Sequence, residues 1–484
     1  MQMTAKFRNR MLVSFILLTV NLLPLTVHAT ITSQLVYSPN LLKRAAKGNH
    51  DAQYALGTFY YNGKDVTKDY QKAYEWWTKA AQSGHLNAQV NLGVLFEKGQ
   101  GVAQNYAEAI KWYTKAGEKG NPVAQTNLGV LFENGQGGPI DYVKAHTWYK
   151  KAADKGYAEA QSNLASLYAN GQGVTQDYKI AFEWYTKSAE NGHGYAQFVL
   201  GQMYEFGGKG PAKNLAEAVK WYKKASAQGN VMAQSALGSM YAGGEGVAQS
   251  YSDAFTWFHK AAEKDEDVAQ FNLGLLYENG QGVVQSIQDA IVWYTKSADN
   301  GNLIAQSKLA SIYYNGTGTT KDITKAVAWY RKAADNGDTA AQFILGRLYS
   351  NGEGVERDYA IAMSWYKKAS ERGLASAENN IGYLYEKGLG VSPDSSEAFK
   401  WYSKAAGHGY PTAFYNVGYY YSEGLGVTKD LVKAYMYYVL ASANAPTEDN
   451  KLKEVVKEKM SQLSKVMKSE DVAEAEKLAR EKVK

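Results

Sequence analysis

Tryptophan recurs at Trp76, Trp112, Trp148, Trp184, Trp221, Trp257, Trp293, Trp329, Trp365 and Trp401, with Tyr437 in the eleventh place. Every interval is 36 residues except one of 37, where Gly207-Gly208-Lys209-Gly210 carries an extra residue. A period of that length over eleven copies restricts the chain to a repeat architecture, in which each unit packs only on its neighbours. The 484 residues therefore need not be divided among several globular cores.

Each unit reads as two helices. In the second unit Ala88, Leu92, Leu95 and Phe96 stand at i, i+4, i+7 and i+8, one apolar stripe of an α-helix. The glycine-rich turn Lys98-Gly99-Gln100-Gly101-Val102 follows, then a second helix carrying Ala109, Trp112, Tyr113 and Ala116. Seven residues before each Trp (or Tyr437) stands a residue suited to cap that helix: Asp69, Asn105, Asp141, Asp177, Asn214, Ser250, Ser286, Asp322, Asp358, Asp394 and Asp430. Gly84, Gly120, Gly156, Gly192, Gly229, Gly301, Gly337, Gly373 and Gly409 suit the left-handed position after it. Lys264-Asp265-Glu266-Asp267 breaks that column and predicts an irregular, frayed turn. Gly57, Gly93, Gly129 and most equivalents lie inside the first helix, with Ala165 and Ala310 as exceptions. Glycine there costs about 1 kcal/mol against alanine, so its repetition predicts close helix–helix approach, with the indole filling the space beside it.

The pattern Ala-Gln-x-x-Leu-Gly-x-x-Tyr, then Gly-x-Gly-Val, then Asp-Tyr-x-x-Ala-x-x-Trp-Tyr-x-Lys-Ala-Ala resembles the Sel1-like repeat over about residues 51–443. That family is similar to tetratricopeptide repeats but has a longer internal loop. The resemblance implies an all-α, right-handed superhelical α-solenoid of eleven 36-residue repeats, with the first helices lining the concave side. It also implies a scaffold or adaptor role; bacterial members are often exported and serve in envelope regulation, secretion or host contact. A cysteine-rich branch of the family is linked to β-lactam binding, but this chain has no cysteine, and that link does not transfer.

The ends read differently. Lys6, Arg8 and Arg10 precede an apolar run from Met11 to Leu23, closed by Pro24 and followed by Val27-His28-Ala29. This predicts a signal peptide, residues 1–29, cleaved after Ala29, and a periplasmic or secreted mature protein. The run is shorter than the roughly 20 residues a spanning helix needs, and no later segment is apolar enough, so no stable membrane insertion is expected. Residues 30–50, with Leu41-Leu42-Lys43-Arg44-Ala45-Ala46, read as a half repeat. Residues 444–484 read as capping helices over Lys451–Lys465 and Asp471–Lys482. Without the leader's three cations, 50 basic face 47 acidic residues, too even a balance for nucleic-acid binding.

Chemistry is sparse. Lack of cysteine excludes disulfides, thiol catalysis and Cys-ligated zinc. His50, His85, His146, His193, His259 and His408 form no metal-ligand spacing and read as solvated turn residues. Ser364-Trp365-Tyr366-Lys367 matches Ser-x-x-Lys but sits inside a repeat helix at a variable position. No cofactor, metal or catalytic residue is expected.

A partner face is more legible. Counting the Ala of Ala52 as position one, positions one, five, eight and nine of the first helix face the core. Positions three, seven and ten then face the concave groove and vary between repeats. The candidate protein-binding residues are Tyr54, Val94, Val130, Phe198, Phe271, Leu275, Phe343, Arg347, Tyr383, Tyr415 and Tyr419. Position ten adds Glu97, Glu133, Glu205, Glu278 and Glu386, as partners for basic residues of another protein. The competing reading is that these side chains pack on neighbouring repeats. The function expected is an exported scaffold for envelope or host proteins. The alternatives are an envelope enzyme or regulator acting on peptidoglycan or a β-lactam, and a self-associating assembly unit.

Overall fold

The computed structural model describes residues 36–208 and 210–483, so the leader expected at 1–29 lies outside the described residues. Every regular element described is a helix. The chain divides at Ser250/Tyr251, between the two helices of repeat 6, into two compact units. Each unit is a stack of helix pairs. Repeat 2 pairs Leu86–Lys98 with Tyr106–Glu118, and repeat 9 pairs Thr339–Asn351 with Tyr359–Glu371. A lone helix, Pro39–Ala46, precedes repeat 1. Helices Asn450–Ser464 and Ser469–Val483 follow repeat 11 and bury Val456, Ala475 and Ala479 against its second helix, Leu431–Asn444.

The second helices start where the sequence places them. Asp69, Asn105, Asp141, Asp177, Asn214, Ser286, Asp322, Asp358, Asp394 and Asp430 each accept a first-turn N–H through the side chain. The column glycines after these helices have positive φ, for example 88° at Gly84 and 92° at Gly301. The turn at Lys264–Asp267 is regular, contrary to expectation. Asp265 takes the left-handed conformation at φ 60°, and Glu266 caps the next helix by accepting from Ala269 N–H at 2.5 Å. Aspartate is among the few residues that enter that region at small cost.

The glycine inside the first helix does not face the tryptophan. It faces the next residue, an aromatic of the same repeat. A Cβ on Gly201 would lie 2.6 Å from the Tyr222 ring, and one on Gly93 would strike Tyr113. Tyr113, Tyr149, Tyr222, Tyr294 and Tyr402 are consequently at most 1% exposed. In repeats 4 and 8 alanine replaces the glycine, and the second-helix Tyr185 and Tyr330 are slightly more exposed, at 5% and 6%.

The tryptophan instead reaches the preceding repeat. Trp112 shares a core cluster with Ala80 of the preceding second helix and with Ala88 and Leu92 of its own first helix, and Trp365 likewise with Ala333, Ala341 and Leu345. The lysine three residues later lies over the indole in all ten cases, at 3.9 to 5.0 Å from the ring centroid. A buried glutamine adds a polar tie. Gln89, Gln125, Gln161, Gln197, Gln270, Gln306 and Gln342 each donate Nε2 to a carbonyl in the last turn of the preceding second helix, at 2.8 to 3.2 Å. Gln53 makes the same bond to Ala45, which seats the lone first helix as a half repeat.

Gly93→Ala is expected to destabilise by about 2 kcal/mol, because overpacking outweighs the gain of about 1 kcal/mol in helix propensity. Denaturant unfolding checks it; a stabilised variant would show that the Tyr113 ring moves aside freely.

Candidate functional site

A first helix lies between two second helices, its own and that of the preceding repeat, so its buried arc is wider than one stripe. Positions one, five and eight pack backward. Position six, the glycine, packs forward, and position three joins it. Phe198 and Phe271 are buried, their rings 5.9 and 5.4 Å from Tyr222 and Tyr294. Phe343 is half-buried 5.8 Å from Tyr366, and Tyr415 half-buried 5.7 Å from Tyr438. Tyr54 is half-buried, stacked 4.4 Å from the His85 ring, and its carbonyl accepts from Trp77 Nε1 at 3.0 Å. The phenylalanines expected as partner anchors are therefore packing residues, for a reason the helical wheel does not contain: the second neighbour.

Position seven is the true edge of the buried arc. Val94 and Val130 are nevertheless buried, in apolar clusters with Leu128 and Tyr113 and with Leu164 and Tyr149. These two also drop out as exposed anchors. Leu275 and Tyr419 are half-buried, and Lys459 lies over the Tyr419 ring at 5.7 Å. Arg347 and Tyr383 are exposed, Tyr383 at 47%. Of the eleven candidates, these two are the ones open to solvent.

Position ten is not free for a partner's cations. Tyr113, Tyr149, Tyr222, Tyr294 and Tyr402 donate their hydroxyls to Glu97, Glu133, Glu205, Glu278 and Glu386 at 2.5 to 2.9 Å. Burial raises the carboxyls of Glu97 and Glu133 above the usual range, against the lowering effect of those hydrogen bonds. Glu278 also receives Lys308 Nζ at 2.8 Å.

His85 and His408 are more engaged than solvated turn residues, whereas His50 is exposed as expected. His85 Nδ1 accepts from Ala88 N–H at 3.1 Å and so caps a first helix; His193 stands at the same N-cap position but makes no capping hydrogen bond through its side chain. His408 Nδ1 lies 2.7 Å from the buried Glu378, which replaces the glutamine of the inter-repeat tie. The capping column Asn49, Asn121, Asn230, Asn302 and Asp338 was legible as Asn or Asp three residues before the repeat alanine. Ser364 is exposed, and its hydroxyl donates to the Ile361 carbonyl at 2.7 Å. Among the described residues no group of three His, Cys, Asp or Glu could hold a metal ion. No described helix is long and apolar enough to cross a membrane.

Two predictions follow from this geometry. Phe271→Ala should destabilise by about 3 to 4 kcal/mol, reading packing rather than recognition; a neutral effect in urea unfolding would return Phe271 to the surface. Burial lowers the pKa of His85, against the opposing Asp51 carboxylate, and lowers that of His193. The unfolded chain thus takes protons at higher pH than the folded one. The stability contributed is complete above about pH 6.5 and is lost as pH falls below it. The carboxyls of Glu97 and Glu133 act in the opposite direction and cancel when variant and parent are compared. His85→Asn/His193→Asn, which copies the other caps, should raise the urea midpoint more at pH 5 than at pH 7.5. An equal gain at both would sink the titration account.

The Sel1 repeat family profile matches eleven consecutive stretches, residues 50–85, 86–121, 122–157, 158–193, 194–230, 231–266, 267–302, 303–338, 339–374, 375–410 and 411–445. The crystal structure of c5321, described as a protective antigen present in uropathogenic Escherichia coli strains displaying an SLR fold, is similar at 36% identity. That alignment covers 91% of this chain and 93% of that one, with a TM-score of 0.66. A Sel1 repeat protein from Oxalobacter formigenes aligns at 31% identity over 69% of this chain and 96% of its own, with a TM-score of 0.52. Among curated proteins none matches. An array of helix pairs built on one recurring set of packing columns, matched repeat by repeat over residues 50–445, makes this chain a member of the Sel1 repeat family, an all-α solenoid of the kind that serves as a protein-interaction scaffold.

Proposed function

We propose that the chain is an exported scaffold that binds a protein of the cell envelope or of a host through the first helices of its repeats. The observation that carries this reading is position seven. Positions five, six and eight beside it are nearly constant, being leucine-like, glycine or alanine, and large apolar, whereas position seven runs from Thr58 and Val94 to Arg347, Tyr383 and Tyr419. It opens to solvent at Arg347 and Tyr383, an arginine and a tyrosine, the residue types that most often anchor protein interfaces. Export is supported by the basic, apolar and small-residue order of residues 1–29. The relative described as a protective antigen fits a protein that meets antibodies outside the cell.

Proximity crosslinking and mass spectrometry on the full chain, with Tyr383→Ser as the comparison, tests the binding face. Tyr383 is exposed, so the variant keeps its fold, and its principal partner should be recovered at least tenfold less well. Undiminished recovery would move binding to the loops or the terminal helices. Residues 1–29 fused to a reporter active only after export should yield a processed product beginning at Thr30; a reporter retained inside the cell would refute export.

A further inference from the structure

In five repeats a glutamate at position ten lies beneath the hydroxyl of the second-helix tyrosine. Repeats 8 and 9, both in the unit that begins at Tyr251, lack that carboxylate together: position ten is Tyr314 and then Ser350. Repeat 9 also places Arg347 at position seven, where no other repeat has a basic residue.

Arg347 is exposed, and among the described residues no carboxylate lies within 4.0 Å of its guanidinium. The group is nonetheless positioned. Its Cζ stands 5.8 Å from the centre of the Tyr314 ring. Its charge also reaches the phenols of Tyr330 and Tyr366, where it opposes the upward pull of burial. The acidic groups nearby make their hydrogen bonds elsewhere, although the Glu353 carboxyl, lowered first by hydrogen bonds from Asn351 and Tyr314, is lowered further by the Arg347 charge. Glu353 accepts from Tyr314 at 2.9 Å and from Asn351 at 2.7 Å. Asp338 caps Ala341 N–H at 2.9 Å and accepts from Ser307 at 2.8 Å. Lys308, the neighbouring first-helix cation, is neutralised by Glu278. Arg347 therefore makes no ion pair on this face and is held against an aromatic ring, with the exposed Tyr383 at the equivalent position of the next repeat.

We propose that Arg347 anchors a carboxylate of the partner protein, supplied by an Asp or Glu side chain in a segment lying across the first helices of repeats 8 to 10. A planar guanidinium with free N–H groups matches a carboxylate in two parallel hydrogen bonds, a geometry lysine does not reproduce. The aromatic flank favours a peptide that carries an apolar residue beside its acid. This assignment rests on the protein-binding reading above and narrows it to an acidic motif.

Phage selection on the full chain tests it, with two random twelve-residue libraries. One is fused through its C-terminus, so that only side chains offer carboxylates; the other ends in a free C-terminus. Asp or Glu should be enriched in clones from the first library, and synthetic C-terminally amidated copies should bind Arg347→Gln about tenfold more weakly. Replacing the acid by its amide should cost as much, with no further loss on Arg347→Gln. Raised salt should weaken wild-type binding more than variant binding. Arg347→Lys should recover only part of the affinity, and all variants should melt as the parent does. Enrichment confined to the free C-terminal library would replace the side-chain carboxylate by a chain terminus. Clones that bind the wild type and Arg347→Gln equally would overturn the assignment while leaving the protein-binding face standing. Failure to select any clone would count against that face itself.

Discussion

Everything in this molecule depends on two helices approaching closely enough to leave no room for a methyl group. In eight repeats the first helix carries glycine where the facing ring of the second helix touches its backbone. Each such glycine forfeits about 1 kcal/mol of helix propensity. Each buries a whole aromatic ring, which contributes about 1.5 to 3 kcal/mol, so the contact is net favourable. The tyrosine then brings a hydroxyl into a dry place, where it needs an acceptor. Glutamate at position ten supplies one in five repeats, and all five have the glycine. Repeats 4 and 8 have alanine, a slightly more exposed ring, and Ala169 or Tyr314 at position ten. The glutamate thus occurs where glycine lets the tyrosine sink fully, though Gly346 with Tyr366 and Gly418 with Tyr438 do without it.

Stacking one repeat on the next uses different chemistry. The indole spans the gap, the glutamine side chain bonds across it, and the second glycine of the internal loop lets the loop touch the preceding second helix. A Cβ on Gly390 would lie 2.8 Å from the Tyr359 backbone, at a φ of 71° that already favours glycine. All these contacts join nearest neighbours, so stability accumulates along the array rather than in a single core. The lysines over the tryptophans explain a column of cations that makes no basic patch: each ammonium is held by its own indole, and the acidic residues nearly equal the basic ones.

Much of this was legible in the sequence, and the misses have definite causes. Period, helix pairing and second-helix caps follow from local rules, which act within one turn of helix. The face of the first helix did not follow, because a helical wheel locates the largest apolar stripe but cannot count how many neighbours a helix has. Phe198 and Phe271 vary from repeat to repeat at position three, as surface residues do, yet they fill space between helices. Their variation reflects tolerance of a packing site, where Thr126 and Ser162 are equally buried in other repeats. Glu97 and its equivalents were read as surface charges because the acceptor demand of a buried hydroxyl is visible only once the tyrosine is placed. The aspartate turn at Asp265 was misjudged by treating glycine as the only residue at home in the left-handed region.

The same packing argument says where recognition can evolve in such an array. Positions one, five, six and eight each make a contact that another helix depends on, so a change there is felt as stability. Position seven stands at the edge of that arc, buried in some repeats and open in others. In repeats 2 and 3 it is filled by Val94 and Val130, which close the surface and join the core. In repeats 9 and 10 it carries Arg347 and Tyr383, which contribute nothing evident to a helix pair and remain in water. An exposed guanidinium and phenol at a column that packs in other repeats are the residues a scaffold retains for a partner.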